Sequence, residues 1–148
     1  MPCQLRGLSS LIFEPVGRPV GIVIGLHGNP MTPSAFEEVT SLGSAGAASG
    51  MIVVLPSAPR KTRRGHVWDV DADVATLAPA IEEVRAQYPS AAAKIIVCSI
   101  SAGAQLACRL ASQRPGLVTR IGAVGGLREP IGGEDFRGLG GCRFSRFS

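Results

Sequence analysis

The stretch Ile95-Ile96-Val97-Cys98-Ser99-Ile100-Ser101-Ala102-Gly103 restricts the fold more than any other part of the chain. An apolar run suited to a buried strand ends in a turn of small residues around Ser101. Ala104-Gln105-Leu106-Ala107-Cys108-Arg109-Leu110 then starts a helical pattern. A turn this tight leaves no room for a branched side chain two residues before or after the central serine, because it would strike neighbouring backbone. Gly103 meets that demand fully, and Ser99 meets it in part.

The remaining pattern alternates strands and helices. Leu8 to Phe13 reads as a short edge strand, and Val20 to Leu26 as a central strand that runs directly into His27-Gly28-Asn29-Pro30. A helix is expected from Pro33 to Ala48, with Ala35, Phe36, Val39 and Leu42 on one side, followed by a strand from Met51 to Leu55 and a loop to Val70. From about Asp71 to Tyr88, Val74, Leu77, Ile81, Val84 and Tyr88 recur at steps of three and four, giving one apolar stripe for docking on a sheet. Pro79 is expected to kink this helix or to mark a 3₁₀-like first part, and Asp71 and Asp73 to cap it. Ile95 to Cys98, a helix from Ala102 to Gln113 and Val118 to Val124 complete the series.

Such alternation implies right-handed βαβ crossovers. The expected fold class is α/β: a doubly wound, mostly parallel sheet with helices on both faces, in a three-layer sandwich. Ligands of such sheets bind at the carboxyl ends of the strands. The loops after Leu26, Leu55 and Cys98 share that edge, so His27 to Asn29, Trp68 and Ser101 can converge there.

The turn around Ser101 is close to the nucleophile elbow G-x-S-x-G, with Ser99 in place of the first glycine. Together, the strand ending in Leu26-His27-Gly28, the Met51-Ile52-Val53-Val54-Leu55-Pro56 strand, Trp68 ahead of an acidic helix start, and the Ser101 turn resemble the α/β-hydrolase superfamily. The likeness is to its polyhydroxybutyrate-depolymerase-like and phospholipase/carboxylesterase-like esterases, over roughly residues 18 to 128. The resemblance implies Ser101 as nucleophile, with the backbone amides of Asn29 and Ala102 as the oxyanion hole. His27, Gly28, Ser99 and Gly103 would support the loop and turn, and Trp68 and His66 could line the substrate pocket. No metal and no organic cofactor is implied. The expected partner is a small-molecule or polymeric ester.

The general base is where the sequence departs from that pattern. The family order is serine, acid, then histidine, but no histidine follows Ser101, and only Glu129, Glu134 and Asp135 are acidic beyond it. His66, oriented by Asp69, Asp71 or Asp73, could substitute, although an exposed loop histidine is the simpler account; His27 is expected to shape the oxyanion loop. Without a base a serine hydroxyl is a weak nucleophile, so the chain is expected to be inactive or very slow. The competing reading is a non-catalytic α/β module that holds a small ligand or a partner.

Gly132 to Ser148 carries neither a period of two nor one of 3.6, and no recognisable closing strand. The expected division is a partial α/β-hydrolase domain over residues 1–131 and an irregular tail over 132–148. That tail is either frameshifted or truncated product or a native flexible end. Missing strands would leave an open sheet edge after Val124, through which the chain could self-associate.

At 148 residues the chain is expected to be a single domain with a real core. Its 45% hydrophobic and 18% charged residues exclude a disordered or fibrous chain. No apolar run reaches the roughly 20 residues of a membrane span. Met1 to Gly7 lacks a signal-peptide pattern, so a cytoplasmic location is the expectation. Cys3, Cys98, Cys108 and Cys142 lack metal-site spacing and read as reduced residues. Although the net charge is +4, Arg60, Lys61, Arg63 and Arg64 form a short run without interleaved aromatics. A solvated loop is expected there, not a nucleic-acid site; the functional alternative is a site for an acidic substrate or an anionic surface.

Overall fold

The computed structural model describes residues 1–124 and 143–147. Its main sheet is built from β1 (Pro2–Leu5), β2 (Leu8–Phe13), β3 (Gly21–Leu26), β4 (Met51–Pro56), β7 (Ile95–Ile100), β8 (Arg120–Val124) and β9 (Arg143–Phe147). The spatial order is β1-β2-β4-β3-β7-β8-β9. β4, β3, β7, β8 and β9 run parallel, and β2 is antiparallel to both β1 and β4. A separate hairpin pairs β5 (Arg60–Thr62) with β6 (Gly65–Val67).

Both faces of the sheet are covered, which is why the central strands are apolar at every position. All residues of β3 and β4 are buried, as expected of parallel strands between two helical layers. Because side chains alternate across a strand, the residues divide between two cores. Ile22, Ile24, Leu26, Ile52, Val54, Ile95 and Val97 pack with α3 (Val74–Gln87) and α4 (Ala102–Gln113). Val23, Met51, Val53 and Leu55 face the other way, toward Phe36 of α1 (Pro33–Thr40) and Leu42 of α2 (Leu42–Ala48). In α3, Val74, Leu77, Ile81 and Val84 form the expected stripe, each burial contributing about 1.5–3 kcal/mol. The α/β three-layer architecture is therefore the one the alternation implies.

Several expectations are corrected in detail. The single helix over 33–48 is two helices, broken at Ser41, whose φ of 52° is left-handed. Glu37 causes the break to be favourable: its carboxylate accepts hydrogen bonds from the amides of Gly43 (2.6 Å) and Ser44 (3.0 Å) and from the Ser44 hydroxyl (2.9 Å), capping α2. Val39, expected on the buried side, is 74% exposed because the helix ends before a second apolar turn forms. β2 is not an edge strand, since β1 pairs beside it. The loop to Val70 contains the β5–β6 hairpin. Helix α3 begins at Val74 and continues through Pro79; Asp73 stands at its N-cap, but its carboxylate accepts from the Asp69 amide (2.7 Å) and not from the helix. Asp71 lies outside the helix and pairs with Arg109 (3.1 Å).

At the carboxyl-terminal end, a strand lies where no periodicity announces one. β9 pairs with β8 from Arg120↔Arg143 to Val124↔Phe147, so the edge of β8 expected to be open is occupied. The boundary placed at 131/132 lies outside the described residues. Among the described residues no helix is long and apolar enough to cross a membrane.

Candidate active site

The carboxyl ends of β3, β4 and β7 meet at one edge of the sheet, and the register brings Leu26 opposite Ser99. Beyond that pair the chain enters the turn at Ser101, which is exposed and has φ 51° and ψ −120°. A side-chain-bearing residue rarely adopts this conformation, which costs roughly 1–3 kcal/mol. Gly103 makes the turn possible. A Cβ there would strike the Leu26 carbonyl oxygen and would come within 2.7 Å of the His27 carbonyl oxygen and 2.8 Å of the Leu26 carbonyl carbon. The small-residue requirement read from the sequence is thus a close approach of α4 to the end of β3. Ala102 is the first residue of α4, so its amide has no acceptor within the helix.

Gly28 abuts this turn directly: a Cβ built on it would lie 3.4 Å from the Ser101 Cβ. The loop carrying Gly28 is held by side chains whose polar atoms are bonded. His27 is 1% exposed. Its Nε2 accepts from the Ala58 amide (3.0 Å), which fixes the proton on Nδ1, and Nδ1 donates to the Gly28 carbonyl (2.7 Å). Burial holds the imidazole below its ordinary value of 6.5, outweighing the bond to Gly28 that favours the charged form. Asn29 is clasped to Trp68 in both directions, its Nδ2 donating to the Trp68 carbonyl (3.0 Å) and its Oδ1 accepting from the Trp68 amide (2.7 Å). The Trp68 indole N–H donates to the His27 carbonyl (3.0 Å), and the two rings lie 5.2 Å apart.

Ser101, Ala102, Gly103, His27, Gly28 and Asn29 are therefore brought together. Trp68 joins them as part of the scaffold: only 3% exposed, it offers a substrate almost no surface. Ser99, also 3% exposed, donates its hydroxyl to the Gly122 carbonyl (3.1 Å) and is spoken for by the sheet. His66 lies on β6 with Nδ1 bonded to the Ala58 carbonyl (2.8 Å). Neither histidine is hydrogen-bonded to Ser101, and both of His27's nitrogens are engaged. Cys3 and Cys98 are free thiols, and burial pushes the Cys98 thiol up; Cys142 lies outside the described residues. Among the described residues no three His, Cys, Asp or Glu side chains gather as a metal-binding group.

Two residues central to the loop gave no signal in the sequence. Ala58 serves both histidines, through its amide and its carbonyl. Met31 exchanges backbone hydrogen bonds with His66 (3.1 and 2.8 Å), which ties the hairpin to the loop. Both act through main-chain atoms, to which side-chain identity is indifferent.

No protein-family model matches the chain, and no curated protein matches it in sequence. Solved structures do. The chain is similar to an acetyl xylan esterase from Aspergillus awamori at 19% identity and a TM-score of 0.70, covering 85% of this chain and 52% of that one. It is similar to esterase PE8 at 22% identity and a TM-score of 0.69, covering 79% and 63%. An α/β serine hydrolase homologue from Coxiella burnetii aligns over 99% of this chain and 71% of its own, at 19% identity and a TM-score of 0.70. The chain has the α/β-hydrolase fold. It spans 52% and 63% of the lengths of the two esterases.

Proposed function

We propose that this chain is a serine hydrolase of carboxylic esters, with Ser101 as nucleophile. The observation that carries the reading is the exposed serine held at φ 51° between β7 and α4, against the loop of Gly28. A nucleophile elbow, in which a strained strand-to-helix turn lifts the hydroxyl clear of the sheet edge, calls for such a conformation. The likeness in fold to two esterases supports it.

In the proposed reaction the Ser101 Oγ attacks the ester carbonyl carbon, and the carbonyl π pair moves onto oxygen. The amides of Asn29 and Ala102 receive that oxyanion, Ala102 with the added field of the α4 N-terminus. As the carbonyl re-forms, the ester C–O bond breaks and the alkoxide leaves with the proton given up by Oγ; water then attacks the acyl carbon, its proton returns to Oγ, and the acid is released. Gly28, His27 and Trp68 act as positioning residues by fixing the loop. His27 is not the base, because its Nε2 lone pair is already taken by the Ala58 amide. No side chain among the described residues is hydrogen-bonded to the Ser101 hydroxyl, and a serine hydroxyl without a base is a weak nucleophile.

The test is release of p-nitrophenolate from a short p-nitrophenyl ester. Slow release, with an acyl group recovered on Ser101 and with loss of both in Ser101→Ala, is expected. Release unchanged in Ser101→Ala overturns the reading. The unassisted state of Ser101 is also what a non-catalytic binding module would show; retention of ester binding together with absence of any acyl adduct would favour that second reading.

A further inference from the structure

Joined through Met31 to the loop of the proposed site is a compact cationic hairpin that the sheet does not explain. The hairpin β5–β6 carries Lys61, Arg63 and Arg64, all exposed, with Arg63 and Arg64 forming its two-residue tip between Thr62 and Gly65. Arg60 is satisfied by Asp69 (3.4 Å). Among the described residues the side chains of the other three have no hydrogen bond or ion pair. Three like charges on adjoining positions repel one another, a cost that an anion would relieve.

The hairpin is not a loose loop. His66 of β6 and Met31 exchange two backbone hydrogen bonds. Gly65, at φ 136°, seats the hairpin on Met31 so closely that a Cβ there would lie 2.9 Å from the Met31 nitrogen. The same antiparallel direction continues into the two-way clasp between Asn29 and Trp68. The hairpin is therefore joined to the loop of Asn29 by backbone bonds at Met31 and by the Asn29 side chain at Trp68. Lys61 pairs with His66, which pairs with Met31, so the Lys61 backbone lies two strand spacings from Met31, on the order of 10 Å at about 4.8 Å each.

We infer that this hairpin is the anion-recognition element of the site, selecting esters that carry a carboxylate or phosphate at a distance from the scissile carbonyl. The inference rests on the reading of Ser101 as nucleophile. Lys61, Arg63 and Arg64 attract the negative end of the substrate, while the carbonyl reaches Ser101. Such charge steering raises local substrate concentration and weakens with ionic strength.

The experiment uses the intact chain and three alkyl fluorophosphonates of equal length, ending in a carboxylate, a phosphate or a methyl ester; Ser101 displaces fluoride from phosphorus. Intact-mass spectra give the labelling rate constants. At low salt the two anionic probes are expected to react about tenfold faster than the neutral one. That ratio should fall toward one both in concentrated NaCl and in Lys61→Gln/Arg63→Gln/Arg64→Gln. Comparison of the two anionic probes identifies which headgroup is preferred. Equal rates for all probes, or an anionic preference that persists in the triple variant, would overturn the inference while leaving Ser101 as nucleophile. Absence of labelling by every probe would overturn the nucleophile and the inference together.

Discussion

Two pieces of backbone face each other across the proposed site, and they are held in opposite ways. The turn at Ser101 is held by steric fit: Gly103 lets α4 lie against the carbonyls of Leu26 and His27, and the chain is forced to a positive φ. The loop from His27 to Met31 is held by polar bonds, with His27, Asn29 and Trp68 each bonded to main-chain atoms of another segment. A turn that must present a nucleophile tolerates no side chain behind it. A loop that must present an amide needs its other amides and carbonyls occupied.

The largest expected effect breaks the steric half. Gly103→Ala places a methyl group against two backbone carbonyls that cannot rotate away. It should cost about 3 kcal/mol in urea unfolding and abolish acylation of Ser101. A stable, reactive variant would mean that α4 does not need this approach. Next comes the polar half. His27→Leu keeps the volume but leaves the Ala58 amide buried without an acceptor, a loss of about 2 kcal/mol. Faster hydrogen exchange at Ala58 than in the preceding strand β4 should accompany it.

How much of this contrast is legible in the sequence follows from the range of the forces. The steric turn shows itself because its demand for small residues is local, written into Ser99, Ser101 and Gly103. The central strands show themselves because burial on both faces leaves an unbroken apolar run. The polar loop is hidden, because Asn29 meets Trp68 39 residues later and His27 meets Ala58 31 residues later. For the same reason the part Trp68 plays in the scaffold is hidden: nothing local says that its indole N–H is committed to His27. β1 and β9 are edge strands made by backbone pairing: Pro2-Cys3-Gln4-Leu5 alternates over only four residues, too few to announce a strand, and Arg143-Phe144-Ser145-Arg146-Phe147 does not alternate. The break between α1 and α2 rests on one glutamate folding back over the next helix, which apolar periodicity passes over.

The contrast is sharpened further by pH. His27 is held below its ordinary value of 6.5, so near and below that pH the unfolded chain binds the extra proton more readily than the folded one. Stability should therefore be full above pH 6.5 and fall as pH drops through the lower folded value. Asp69 is held below 3.8, chiefly by the amides of Ala72 and Asp71, and acts in a separate, more acid window. Urea midpoints at pH 7.5 and 5.5 should differ in the native chain and differ less in His27→Leu; equal slopes in both would remove His27 as the cause. The smallest effect is expected at Ser99. Ser99→Ala removes one bond to Gly122, about 1 kcal/mol, and should leave Ser101 reactive.

The central claim is that Ser101, and not its neighbour, is the nucleophile that the turn presents. Peptide mapping of the intact chain after exposure to a neutral fluorophosphonate tests it most directly. An adduct on Ser101 alone, preserved in Ser99→Ala and absent in Ser101→Ala, is the predicted result. An adduct on any other residue, or none after prolonged exposure of the folded chain, would contradict it.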